Sequence, residues 1–131
     1  MTRILLIIAS LMVSFAFADE PLWTPQQRTE QRVAVINGTV LRVVKRRTFN
    51  QYADLMSAEI RIARVLKHSD SLPEKVVTVF YESSPGNGKR CPTYAKLVSD
   101  QTSTFYLSYH DSLTGKKDFI IEMGGDVQSE K

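Results

Sequence analysis

A single cysteine, Cys91, occurs in 131 residues. No internal disulfide can form, which excludes the stapled class of small domains. In a compartment that permits disulfides, Cys91 is either a buried, inert thiol or half of a disulfide with another chain. It lies in GNGKRCPTY, a loop by composition, with no base identifiable beside it. A thiol nucleophile is therefore not expected. Histidine is almost as scarce. His68 and His110 lack the H-x-x-x-H or C-x-x-C spacing of a zinc site. No D-x-D-x-D-G run offers a calcium loop, and no G-x-S-x-G offers a serine nucleophile. His110 and Asp111 are adjacent, which on a strand turns them to opposite faces. GNGK (86–89) lacks the G-K-[ST] ending of a phosphate loop. The sequence singles out no catalytic residue, no metal and no cofactor, and the chain is expected not to be an enzyme.

Glycine and proline are few and aperiodic, six and five, so a collagen-like chain is excluded. There is no internal repeat and no low-complexity tract. With 43% hydrophobic and 24% charged residues, the composition fits one globular domain, and the length allows no second. Long apolar runs are absent except at the start. Arg3 precedes an apolar stretch, Ile4 to Phe17, and Ala16 and Ala18 form an A-x-A exit before Asp19-Glu20-Pro21. This pattern predicts a secretory signal peptide over residues 1–18, cleaved after Ala18. The run falls short of the roughly 20 residues that span a bilayer, and no later segment approaches that length. The expected localisation is secreted or periplasmic, with no membrane span after cleavage. The remaining 113 residues carry sixteen basic and fourteen acidic side chains. A net charge this small makes the pI of about 9.1 a weak argument for a polyanion partner.

Residues 19–32 read as a polar N-terminal arm. Thr24-Pro25 can cap a short helical turn, and Trp23, the only tryptophan, is placed to pin the arm to the body. From Val33 the chain turns β-branched. VAVINGTVLRVVKR predicts one long strand, 33–45, bent at Gly38; a hairpin turning at Asn37-Gly38 is the alternative. Residues 54–67 are ambiguous: Met56, Ala58, Ile60 and Ile62 share a strand face, while Ser57, Arg61, Arg64 and Lys67 form a helical stripe. Strands are expected at 75–83, 104–110 and 118–123. A loop spans 83–92, a helical turn 94–98, a hairpin turn 111–117, and a tail 124–131. With 54–67 as a strand, the chain is all-β, a five-stranded Greek-key OB-like barrel with one short helix over 33–123. With 54–67 helical, it is α+β.

I-N-G-T-V-L-R-V (36–43), A-E-I-R-I-A-R-V-L-K (58–67), V-V-T-V-F-Y (76–81), the loop residue Cys91 and F-Y-L-S-Y (105–109) together resemble the netrin-module family. That family includes the tissue inhibitors of metalloproteinases. The resemblance implies an OB barrel, places 54–67 on a strand with a bulge near Ala63-Arg64, and implies a secreted binding or inhibitor-like module. Two family features have no counterpart here. The N-terminal cysteine that covers a protease zinc is replaced by Asp19-Glu20, and Cys91 has no disulfide partners.

Basic residues form the one suggestive surface pattern. Arg42, Lys45, Arg46 and Arg47 cluster late in the first strand, Lys89 and Arg90 lie in the long loop, and Lys116-Lys117 in the last hairpin. Phe49, Tyr52, Tyr81, Tyr94 and Tyr106 are candidate stacking platforms. Arg46, Arg47, Lys89, Arg90 and Tyr94 are the candidate contact residues, toward another extracytoplasmic protein. The alternative partner is an acidic polysaccharide or nucleic acid; a solvated rim protecting strand edges would need no partner. Asn37-Gly38-Thr39 is a glycosylation sequon in a eukaryote and a strand bend otherwise.

Overall fold

The computed structural model describes residues 22–50, 53–83, 95–110 and 118–129. Six strands follow a short helix: α1 (Pro25–Gln31), β1 (Ala34–Asn50), β2 (Ala53–Lys67), β3 (Val76–Ser83), β4 (Thr102–His110), β5 (Asp118–Ile121) and β6 (Val127–Ser129). A 3-10 turn, Gly124–Asp126, joins the last two. Among the described residues no helix is long and apolar enough to cross a membrane.

Strands β1, β2 and β3 form an antiparallel meander, β5 pairs parallel with β3 and antiparallel with β4, and β4 returns to β1. The β1–β4 pairing closes a five-stranded OB-like barrel. The segment 54–67 is a strand, as the family resemblance implied, and the helical alternative is not adopted. Cross-strand pairing of Ile60 with Val40 and Val77 puts its side chain in the barrel, where strand alternation satisfies the core better than a helical stripe. The interior is formed by every second residue: Ile36 and Val40 of β1, Ala58 and Ile60 of β2, Val77, Val79 and Tyr81 of β3, Phe105 and Leu107 of β4. Burying each larger aliphatic or aromatic side chain contributes roughly 1.5–3 kcal/mol.

Bulges give β1 and β2 the curvature that closure requires. Gly38 pairs with Ile62 and Asn37 with Arg64, so Ala63 is an extra residue, at the position expected from the slip in alternation. Leu41 and Arg46 are extra residues on β1 by the same count. Gly38 itself sits mid-strand, paired with both β2 and β4, so no hairpin turns there.

Several boundaries differ from the sequence reading; β4 begins at Thr102 rather than 104, and β5 ends at Ile121 rather than 123. Strand β1 runs on to Asn50 rather than stopping at Lys45, because β2 pairs with it throughout. Ala95–Val98 is irregular rather than a helical turn; Ala95 and Leu97, two apart, both enter the core, a spacing that an extended chain permits. Residues 124–131 are not simply a tail. After Ile121 the chain makes its 3-10 turn and resumes as β6 along the β4 edge that β5 had paired with. Strands β5 and β6 thus read as one interrupted strand, with Asp126 at the interruption.

Tyr81 points inward and is buried, so it is no stacking platform. Burial pushes its hydroxyl up to about 12 from the ordinary tyrosine value of 10.0, because the phenolate cannot be solvated there. A folded-state value above the unfolded one means the associated stability is complete below about pH 10 and is lost as pH rises toward 12. An alkaline absorbance titration at 295 nm is therefore expected to show one late tyrosine that ionises only as the barrel opens. Ionisation of every tyrosine near pH 10, with the fold intact, would contradict its placement.

Candidate functional site

The outer barrel face carries an apolar and hydroxyl strip. Register aligns Val44, Ser57, Phe80, Ile120 and Ser108 across β1, β2, β3, β5 and β4. Their neighbours Ala58, Val79, Phe119 and Leu107 are core residues, so this row faces outward. Val44, Phe80 and Ile120 are half-buried, and Ser57 is buried although it lies on the outside. The reason for Ser57 is Arg46. The β1 bulge gives Arg46 an extra position, and its Nε donates to Ser57 Oγ at 2.8 Å. One row away, exposed Arg42 pairs with half-buried Glu59 at 2.8 Å, a pair open enough to water to be worth little in stability. Leu55 and Glu82 align beside the strip on its other flank, next to Arg47.

Of the candidate contact residues, Arg46 and Arg47 are both exposed at this end of the β1–β2 hairpin. Lys89, Arg90, Tyr94 and Cys91 lie outside the described residues, as do Lys116, Lys117 and Tyr52, and the side chain of Phe49. Asn37 is buried, and its Oδ1 accepts a hydrogen bond from Thr104 Oγ1 at 2.7 Å. That placement fits the strand-bend reading of Asn37-Gly38-Thr39. Tyr106, another candidate platform, is buried beneath α1. The outward aromatic that sequence reasoning missed is Phe80. Its signal was present: in V-V-T-V-F-Y-E, alternation puts Val77, Val79 and Tyr81 on one face and Phe80 on the other.

No family model and no curated protein matches this chain. Chemistry at the surface must therefore be judged on geometry alone. Among the described residues no cluster of histidine, cysteine and carboxylate side chains is arranged to hold a metal ion. His68 lies 4.0 Å from Asp70 in an exposed pair.

A second polar centre, also missed in the sequence, lies under α1. Asp126 is fully buried and accepts from Arg28 Nη1 at 2.8 Å, from Arg32 Nε at 3.1 Å and Nη2 at 3.0 Å, and from the Met123 amide at 3.2 Å. Glu122 lies 3.1 Å from Arg32 Nη1, which balances the two guanidinium charges with two carboxylates. The Trp23 ring stacks near both arginines, 5.4 Å from Arg28 and 5.2 Å from Arg32. These Trp23 contacts lie within the arm itself, and it is Arg28 and Arg32, through Asp126, that tie the arm to the barrel. Arg28 and Arg32 lie 98 and 94 residues from Asp126, a pairing that no local pattern could reveal.

Proposed function

We propose that this chain is a secreted or periplasmic binding module that engages another protein through the outer face of β1, β2, β3 and β5. The observation that carries this reading is the outward strip Val44–Ser57–Phe80–Ile120, with Arg46 and Arg47 at its β1 end. A half-buried aromatic beside arginines is the composition favoured at protein interfaces, where Arg and aromatic side chains dominate binding energy. Strands 2 and 3 of OB barrels commonly form the ligand face, which supports the same location by analogy of fold. The expected signal peptide supports an extracytoplasmic setting, and the netrin-module resemblance supports an interaction role over catalysis. Inhibition through an N-terminal cysteine is no part of the proposal.

The test is capture from the native extracytoplasmic fraction on the immobilised mature chain, residues 19–131, at low and high salt. A discrete protein retained at high salt is expected. Recovery only of nucleic acid or acidic glycan, released as salt rises, would replace this reading with polyanion binding through Arg42–Arg47.

A further inference from the structure

Helix α1, PQQRTEQ, contains no Val, Ile, Leu, Met or aromatic side chain, and only Arg28 within it is buried. An ordinary surface helix docks by an apolar stripe. This one is held by other means. Arg28 and the following Arg32 grip Asp126, Trp23 stacks on the two guanidinium groups, and Lys67 Nζ donates to Thr29 O and Arg32 O at 2.9 and 2.6 Å. The Lys67 contacts satisfy carbonyls at the helix C-terminus. The helix start is closed by its own capping box, Thr24 with Gln27.

Beneath Arg28 of this strap lies Tyr106, which with its cross-strand partner Val35 faces outward although the two are only 5% and 1% exposed. The Arg28 guanidinium sits 5.9 Å from the Tyr106 ring centre. Tyr106 is two residues from Ser108 on the same face of β4, and Ser108 ends the outer strip. The strap therefore covers one end of a continuous outer face.

We infer that residues 22–32 form a releasable strap, latched to the barrel by the Arg28–Asp126–Arg32 cluster, and that its release extends the outer strip onto Tyr106 and Val35. The consequence for binding rests on the outer-face reading above; the latch itself does not. The physical reason is where the lost interactions go. A buried ion pair deprived of one partner is costly because the remaining charge stays buried. Here both arginines belong to the strap, so undocking returns them to water and leaves Asp126 as the one carboxylate on the barrel side that must then be hydrated or protonated. The barrel core, which uses none of these residues, keeps its packing. Opening is then a local event, separate from global unfolding, whose free energy is set by the latch.

Two variants of the full mature chain test the latch from opposite sides. Asp126→Asn removes the charge and retains an acceptor for the Met123 amide, and Arg28→Met removes one grip without touching the barrel. In each, acrylamide quenching of Trp23, the sole tryptophan, is expected to rise. Amide exchange over residues 26–32 is expected to accelerate roughly tenfold or more, while residues 34–40 stay within about twofold of wild type. Binding of 8-anilinonaphthalene-1-sulfonate is expected to increase as Val35 and Tyr106 become accessible. Unchanged Trp23 quenching in either variant overturns the proposal. So does a single transition in which strap and barrel protection are lost together. Failure to capture a partner on the outer face would leave these readouts standing, so the two readings fail separately.

Discussion

Gly38→Ala is expected to be among the most damaging single substitutions in the barrel, lowering the melting temperature by roughly 10 °C or more. A methyl group there would lie 2.6 Å from the Arg61 carbonyl oxygen and 2.6 Å from Ile60 Cγ2. The first contact is with backbone. It cannot be relieved by a rotamer change, because β2 is hydrogen-bonded on both sides at Arg61, to β1 and to β3. The second is with a fully buried core side chain. Overpacking of this kind typically costs about 1–3 kcal/mol, and contacts on fixed backbone fall at or above the upper end. Glycine is required here for close approach of two strands. Thermal denaturation followed by circular dichroism gives the answer directly, and a melting temperature within about 2 °C of wild type would contradict the close β1–β2 crossing.

Phe105→Ala is expected to cost roughly 3–5 kcal/mol. Phe105 is fully buried, and it pairs with Ile36 of β1 on one side and Val127 of β6 on the other. It therefore stands at the seam where β4 closes the barrel. Truncation leaves a cavity that bulged, doubly paired strands cannot collapse to fill. Urea denaturation should show a lower midpoint with little change in slope, since the unfolded chain exposes nearly the same surface. A loss below about 1 kcal/mol would mean that the seam is not packed as described.

The two substitutions also mark what the sequence made legible. The β-branched and aromatic runs V-V-T-V-F-Y and T-F-Y-L-S-Y identified strands, whereas Tyr81 and Tyr106, read from sequence as stacking platforms, are buried. The slip at Ala63-Arg64 located a bulge correctly. Gly38 was recognisable as an anomaly inside a strand, although only the structure shows that neighbouring backbone, rather than a turn, demands it. Residues 54–67 were undecided by periodicity because bulges at Ala63 and Leu66 break the alternation just where a helix pattern can be fitted. The Asp126 cluster was invisible for a different reason. Its partners are distant in sequence, and each one alone looks like an ordinary surface charge. Phe80 was concealed by attention to tyrosines and loops, when the outward phase of β3 already set it apart.

The polar latch and the outer strip place different demands on the same barrel. The core supplies a rigid frame, so that Arg46 can be aimed by a bulge onto Ser57 and Phe80 can stand half-exposed at the centre of a sheet. Helix α1 of the strap contributes no apolar side chain to the core, and its residues can change without disturbing that frame. Binding surfaces built on strands hold their geometry better than surfaces built on loops. That favours the described face over the basic residues outside it as the main contact.

The most direct measurement compares capture by the wild-type mature chain with capture by Phe80→Ser and by Arg46→Glu/Arg47→Glu, after matched melting curves establish that each variant is folded. The account predicts that a discrete protein retained by wild type at high salt is lost from Phe80→Ser, and that its retention falls by roughly tenfold or more with the charge reversals. Equal retention by all three proteins would contradict the assignment of the β1–β2–β3–β5 outer face as the binding surface.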